Sequence, residues 1–156
     1  MDYTPLIEEV RGFVSNGSDL LAPHRVVACL GSRMALSLFI SCLQPGHQLV
    51  GAGTTEAEGL KQLQENNGDV LLCTDRLEQG NGGSLVETAK RLNPSPCTLM
   101  VVTQPRRLIM IRRALEAGCD GICLESEIGR GTVVRALQVV AHGAAYVEKG
   151  LMDQYL

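Results

Sequence analysis

The stretch Gly68–Gly83, GDVLLCTDRLEQGNGG, settles the fold class. Its first half, Asp69–Thr74, is an apolar run of single-strand length with no polar residue between its ends. Such a run reads as a strand buried on both faces, the pattern of a parallel sheet. Its second half is dense in Gly and Asn and reads as a loop feeding a helix over Ser84–Leu92. The same alternation repeats on either side. Arg25–Leu30 (RVVACL), His47–Gly53 (HQLVGAG), Thr98–Thr103 (TLMVVT) and Gly121–Leu124 (GICL) are further strand candidates. Arg33–Leu43, Thr55–Gln64, Pro105–Ala117 and Gly131–His142 carry helical periodicity, with Thr55 or Thr54 as one N-cap and Gly118 and Gly143 as helix stops. Five buried strands separated by helices predict an α/β domain, a doubly wound five-stranded parallel sheet.

Ahead of the sheet, Thr4 and Pro5 mark the start of an extra N-terminal helix, with Leu6, Val10, Phe13 and Val14 at near-helical spacing. The expected organisation is an N-terminal helical extension over 1–24, the sheet domain over 25–143 and a C-terminal linker over 144–156. A chain of 156 residues is one domain's worth. Hydrophobic residues at 45% against 20% charged make it globular. A net charge of -3, no Trp, three Tyr and two Phe argue against a nucleic-acid surface. No window reaches the ~18 apolar residues of a membrane span, and no signal peptide opens the chain. The expected setting is cytoplasmic, without a membrane partner.

Six cysteines sit singly inside apolar runs and read as buried free thiols. The only close pair, Cys119 and Cys123, has no nearby His to complete a zinc site. His24, His47 and His142 are far apart in sequence. Gly51-Ala52-Gly53 lacks the GxGxxG spacing of a dinucleotide loop. No nucleophile–base pair is visible. The expectation is therefore a protein that is not an enzyme and takes no metal or other cofactor.

Three segments carry a family likeness. GDVLLCTDRLEQGNGG resembles the third strand and following loop of the receiver domain of bacterial two-component response regulators. EAGCDGICLESEIG is similar to the family's run through the fifth strand. RALQVVAHGAAYVEKGL resembles the last helix and linker of receivers in the NarL/LuxR class. The resemblance implies the flavodoxin-like strand order 2-1-3-4-5, with the site at the carboxyl ends of the strands. It implies a module that takes a phosphoryl group from an upstream kinase or other signalling protein. The acceptor is an Asp, Mg²⁺ is held by carboxylates, and a Lys and a Thr contact the phosphoryl oxygens. It also implies that DNA is reached only through a helix-turn-helix domain absent from this chain.

Position by position, most of that chemistry is missing. The acidic pair falls on Leu30 and Gly31, the phosphoacceptor on Thr74, the aromatic on Ile122 and the Lys on Glu125. Only Thr103 matches. Placing the acceptor on Asp75 instead loses the Arg76-Leu77 and Asn81-Gly82 matches. With Thr74 in the pocket, alternation along the strand turns Asp75 away from it, and the Thr74 hydroxyl is expected to tie down the following turn. Glu125 would repel a phosphoryl group by ~1 to 4 kcal/mol. The resemblance is thus to a degenerate, pseudo-receiver form.

The leading functional expectation is a phosphorylation-independent signalling and dimerisation module of a transcription regulator. An open alternative is a receiver switched by unusual chemistry: phosphorylation at Asp75 or Thr74, or redox at cysteines such as Cys29 and Cys73, which end adjacent strands. An enzyme on the same fold has no residues to support it. The first helix is apolar almost all round, with Ala35, Leu38, Phe39 and Cys42 on one stripe and Leu36, Ile40 and Leu43 on another. Together with the last helix it is expected to form a homodimer surface through Leu36, Ile40, Leu43, Val133, Leu137 and Val140, the alternative being that the N-terminal helix covers this patch within one chain. Arg106, Arg107, Arg112 and Arg113 form a basic cluster on the fourth helix, a solvated face or a partner surface.

Overall fold

Each apolar run becomes a strand, and each periodic segment a helix packed across it. The computed structural model describes residues 24–42, 48–125, 136, 139–140 and 143–151. In chain order these form β1 (Arg25–Cys29), α1 (Arg33–Cys42), β2 (Gln48–Gly53) and α2 (Glu56–Glu65). β3 (Val70–Thr74), α3 (Gly82–Leu92), β4 (Cys97–Val102), α4 (Leu108–Glu116), β5 (Gly121–Leu124) and β6 (Tyr146–Val147) follow. All strands run parallel in one sheet of order β2-β1-β3-β4-β5-β6.

The sheet corrects the expected strand count. It has six strands, and the sixth comes from the stretch expected to be a linker. β5 would otherwise leave an open edge. Tyr146 N–H donates to Asp120 O at 2.8 Å and Glu148 N–H to Ile122 O at 3.0 Å, while Leu151 is buried. Residues 144–151 are therefore packed onto the sheet domain. The N-terminal extension over 1–23, Leu43, Val133 and Leu137 lie outside the described residues. Ala136, Val139 and Val140 are helical, inside the expected last helix.

Helix starts are set by local caps. Thr55 caps α2 in a reciprocal capping box with Glu58, an arrangement worth ~1 kcal/mol. α3 starts two residues earlier than its apolar pattern, because Asn81 Oδ1 accepts from Ser84 N–H at 2.8 Å. α4 starts at Leu108, not at Pro105, and has no side-chain cap.

Strand alternation divides the core in two. Val27, Cys29, Leu71, Cys73, Met100, Val102 and Ile122 face Leu63, Leu85, Val86, Ile111 and Ala114 on α2, α3 and α4. Val26, Leu30, Val70, Leu72, Leu99, Val101 and Cys123 face Leu36 and Phe39 of α1, together with Ala136. Helices cover both faces, and the strand ends are left for the site.

Candidate functional site

The carboxyl ends of β1, β3, β4 and β5 carry Leu30, Gly31, Thr74, Asp75, Thr103 and Glu125, while Ile122 lies further back in β5, paired with Met100. Leu30 is buried in the core on the α1 side. Gly31 N–H donates to Thr74 Oγ1 at 2.9 Å, and that hydroxyl donates in turn to Arg76 O at 2.6 Å. The Thr74 hydroxyl thus ties the turn and is fully used. A Cβ on Gly31 would lie closer than 3.0 Å to the Arg76 carbonyl oxygen, and one on Gly82 equally close to the Thr74 carbonyl oxygen. Backbone of the β3–α3 loop fills the space that a side chain at position 31 would need.

That loop is pinned on three sides. Glu78 N–H donates to Thr54 O at 2.8 Å, and Glu56 N–H to Gln79 O at 3.0 Å. Glu78 receives two hydrogen bonds from the Arg33 guanidinium, at 2.7 and 3.2 Å, and one from Thr54 Oγ1 at 2.9 Å. The Arg33 and Thr54 donors hold the Glu78 carboxyl below the usual carboxylate range. Glu56 accepts from Asn81 N–H and Ser84 Oγ. The sequence reading missed Arg33, Thr54 and Glu78, whose partners lie on three separate segments.

Asp75 turns from the Thr74 side, and it is bonded where it goes. Period two carries it to the α3–α4 face, where it is 1% exposed. Its Oδ1 accepts from Thr103 N–H at 2.8 Å and from Thr103 Oγ1 at 2.7 Å, and its Oδ2 from Gln104 N–H at 3.0 Å. Thr103, which matches the receiver pattern, therefore spends its hydroxyl on Asp75. Ile122 is in the core, and Glu125 is exposed at the end of β5.

Cys29 and Cys73 are directly paired across β1 and β3, and both are free. Burial, and then Glu58, pushes the Cys29 thiol up to about 12. Burial raises Cys73 well above its ordinary value, with Cys119, Cys29 and Asp75 adding to it. Neither environment favours a reactive thiolate. Among the described residues, no group of three or more His, Cys, Asp or Glu could hold a metal. His24 sits 3.6 Å from Asp69 at the opposite end of the sheet. That far end is also held by Lys90, whose Nζ donates to Asp120 Oδ2 at 2.7 Å and to the Pro94 and Pro96 carbonyls.

A second correction concerns the dimer surface. Val140 is 6% exposed and belongs to the protomer's core, and Leu36 packs inward with Phe39. The apolar groups that α1 leaves outside are Met34, Leu38 and Ile40.

No family model and no curated protein matches the chain. Solved structures do. The isolated REC domain of RcsB from Salmonella enterica serovar Typhimurium, in the presence of phosphomimetic BeF3-, superposes with a TM-score of 0.67. The match has 16% identity and covers 83% of this chain and 96% of that one. A LuxR-family two-component response regulator from Aurantimonas sp. SI85-9A1 gives 0.71 at 14% identity, covering 83% and 93%. The fold is that of a response-regulator receiver domain. The RcsB response regulator of Salmonella typhimurium gives 0.69 at 16% identity, and the match spans 64% of that longer chain. On this receiver fold, no described helix is long and apolar enough to cross a membrane.

Proposed function

We propose that the chain is a receiver-type signalling module that works by protein contact and does not accept a phosphoryl group. One observation carries this: the loop backbone at Arg76 occupies the place of a side chain at position 31, where a Mg²⁺-binding carboxylate would have to stand. The used Thr74 hydroxyl and the exposed Glu125 point the same way. Phosphoryl transfer depends on positioned charge and metal, and neither has a place here. The module has no catalytic turnover of its own.

The chemical test is incubation with Mg²⁺ and acetyl phosphate, followed by intact mass. An unmodified mass is expected; a Mg²⁺-dependent phosphoryl adduct on Asp75 or Thr74 overturns the reading. The raised thiols argue against the cysteine-redox alternative, and Cys29, Cys73, Cys97, Cys119 and Cys123, all free, fit a reducing cytoplasmic setting.

The contact we propose is a homodimer through α1. Met34, 79% exposed, and Leu38, 63% exposed, sit one turn apart on one apolar stripe of α1, and Ile40, 42% exposed, lies on another. A structure of two RcsB dimers bound to two parallel DNAs is among the neighbours in fold. By analogy, this module would pair subunits of a transcription regulator, with an upstream signalling protein as input and DNA bound by a separate domain.

A further inference from the structure

Among the described residues, Asp75 is the least exposed carboxylate, at 1%. A carboxylate taken from water without a cation is costly unless hydrogen bonds replace its hydration. Among the described residues Asp75 has no cationic partner, and three donors replace the water: Thr103 N–H, Thr103 Oγ1 and Gln104 N–H. All three belong to the two residues that follow β4. The carboxylate thus binds one short piece of chain from two directions, through both of its oxygens.

That piece of chain leads into α4, whose first turn is otherwise held by the buried Ile111 and by no side-chain cap. α4 has no side-chain cap at Arg107. Leu108 is 45% exposed and Ile109 86%. Arg107 N–H reaches back to Gln104 O at 3.1 Å, so the residue that opens α4 is tied to the same Gln104 that Asp75 holds. The next side-chain tether described on α4 is Arg113 with Glu87, near the far end of the helix.

We propose that Asp75 is a built-in anion that latches the β4–α4 connection and so positions the start of α4. The latch rests on the reading of the site as closed: it does permanently, from within the chain, what an incoming anion would otherwise do. Asp75 is a positioning residue, and its effect reaches solvent through the surface at Arg106, Arg107, Leu108 and Ile109.

Removing the carboxylate should leave an anion-sized gap lined by three donors, which gives the test a readout beyond stability. In Asp75→Gly, amide hydrogen exchange from Thr103 to Met110 should accelerate about ten- to a hundredfold, with β1 and β3 unchanged. Formate should slow it again, and neutral formamide should not. A folded Asp75→Gly protein with unaltered exchange over that segment overturns the latch, as does equal rescue by the two additives. If Asp75→Gly does not fold, Thr103→Val and Thr103→Ser replace it. Valine should accelerate the same amides severalfold and serine should not; equal behaviour of the two overturns the proposal. A phosphoryl adduct on the unaltered protein would overturn the closed-site reading, whereas the exchange result judges the latch by itself.

Discussion

At Gly31 the loop backbone leaves no room for a Cβ. Restoring an acid there cannot restore a metal site, because the Arg76 carbonyl stands where the Cβ would go. Gly31→Asp is expected to lower stability by about 1–3 kcal/mol, the usual range for overpacking, and to add no Mg²⁺ affinity. Urea unfolding with and without Mg²⁺ checks both, and an unchanged midpoint would contradict the crowding. The thiols make a pH prediction. Burial, followed by Glu58 for Cys29 and Glu148 for Cys123, pushes both thiols up to about 12 from 9.0. The unfolded chain therefore loses these protons first. The stability tied to them is complete below pH 9 and is lost as pH climbs from 9 towards 12. Denaturant midpoints should fall on that alkaline limb, and native Cys29, Cys73 and Cys123 should resist a thiol reagent at neutral pH. Rapid labelling of the folded protein would refute this.

Elements owe their ends to local chemistry and their burial to distant partners. Thr55 sits directly before the periodic run of α2, so its cap is readable from sequence. Thr55→Ala should cost ~1 kcal/mol in thermal or urea unfolding. β6 is different. Two residues of strand carry no periodic signal, and only the open edge of β5 recruits them. Leu151 is 1% exposed in the core beneath it. Leu151→Ala is expected to cost about 2–5 kcal/mol; a loss under half a kcal/mol would show that the segment is a linker after all. The first helix was legible as apolar on two stripes, but which residues of each faced inward was not. Packing placed Leu36 and Phe39 against the sheet and left Met34 and Leu38 outside.

For the whole molecule, the exposed stripe on α1 predicts association. Sedimentation should show a concentration-dependent dimer. Replacing Met34 and Leu38 by Glu should give a monomer whose melting is nearly unchanged, since exposed substitutions rarely exceed ~0.5 kcal/mol. A protein that is monomeric at every concentration removes the dimer. The parallel sheet and its first five strands could be read along the chain, as could the residue types that stand at Leu30, Gly31, Thr74 and Glu125. They depend on run length, periodicity and residue type, which are local properties. The sixth strand, the inward turn of Val140, the Arg33–Glu78–Thr54 tie and the bond from Asp75 to Thr103 depended on the fold. Each joins groups that are remote in sequence, and a hydrogen bond or a packed side chain finds its partner by distance in space.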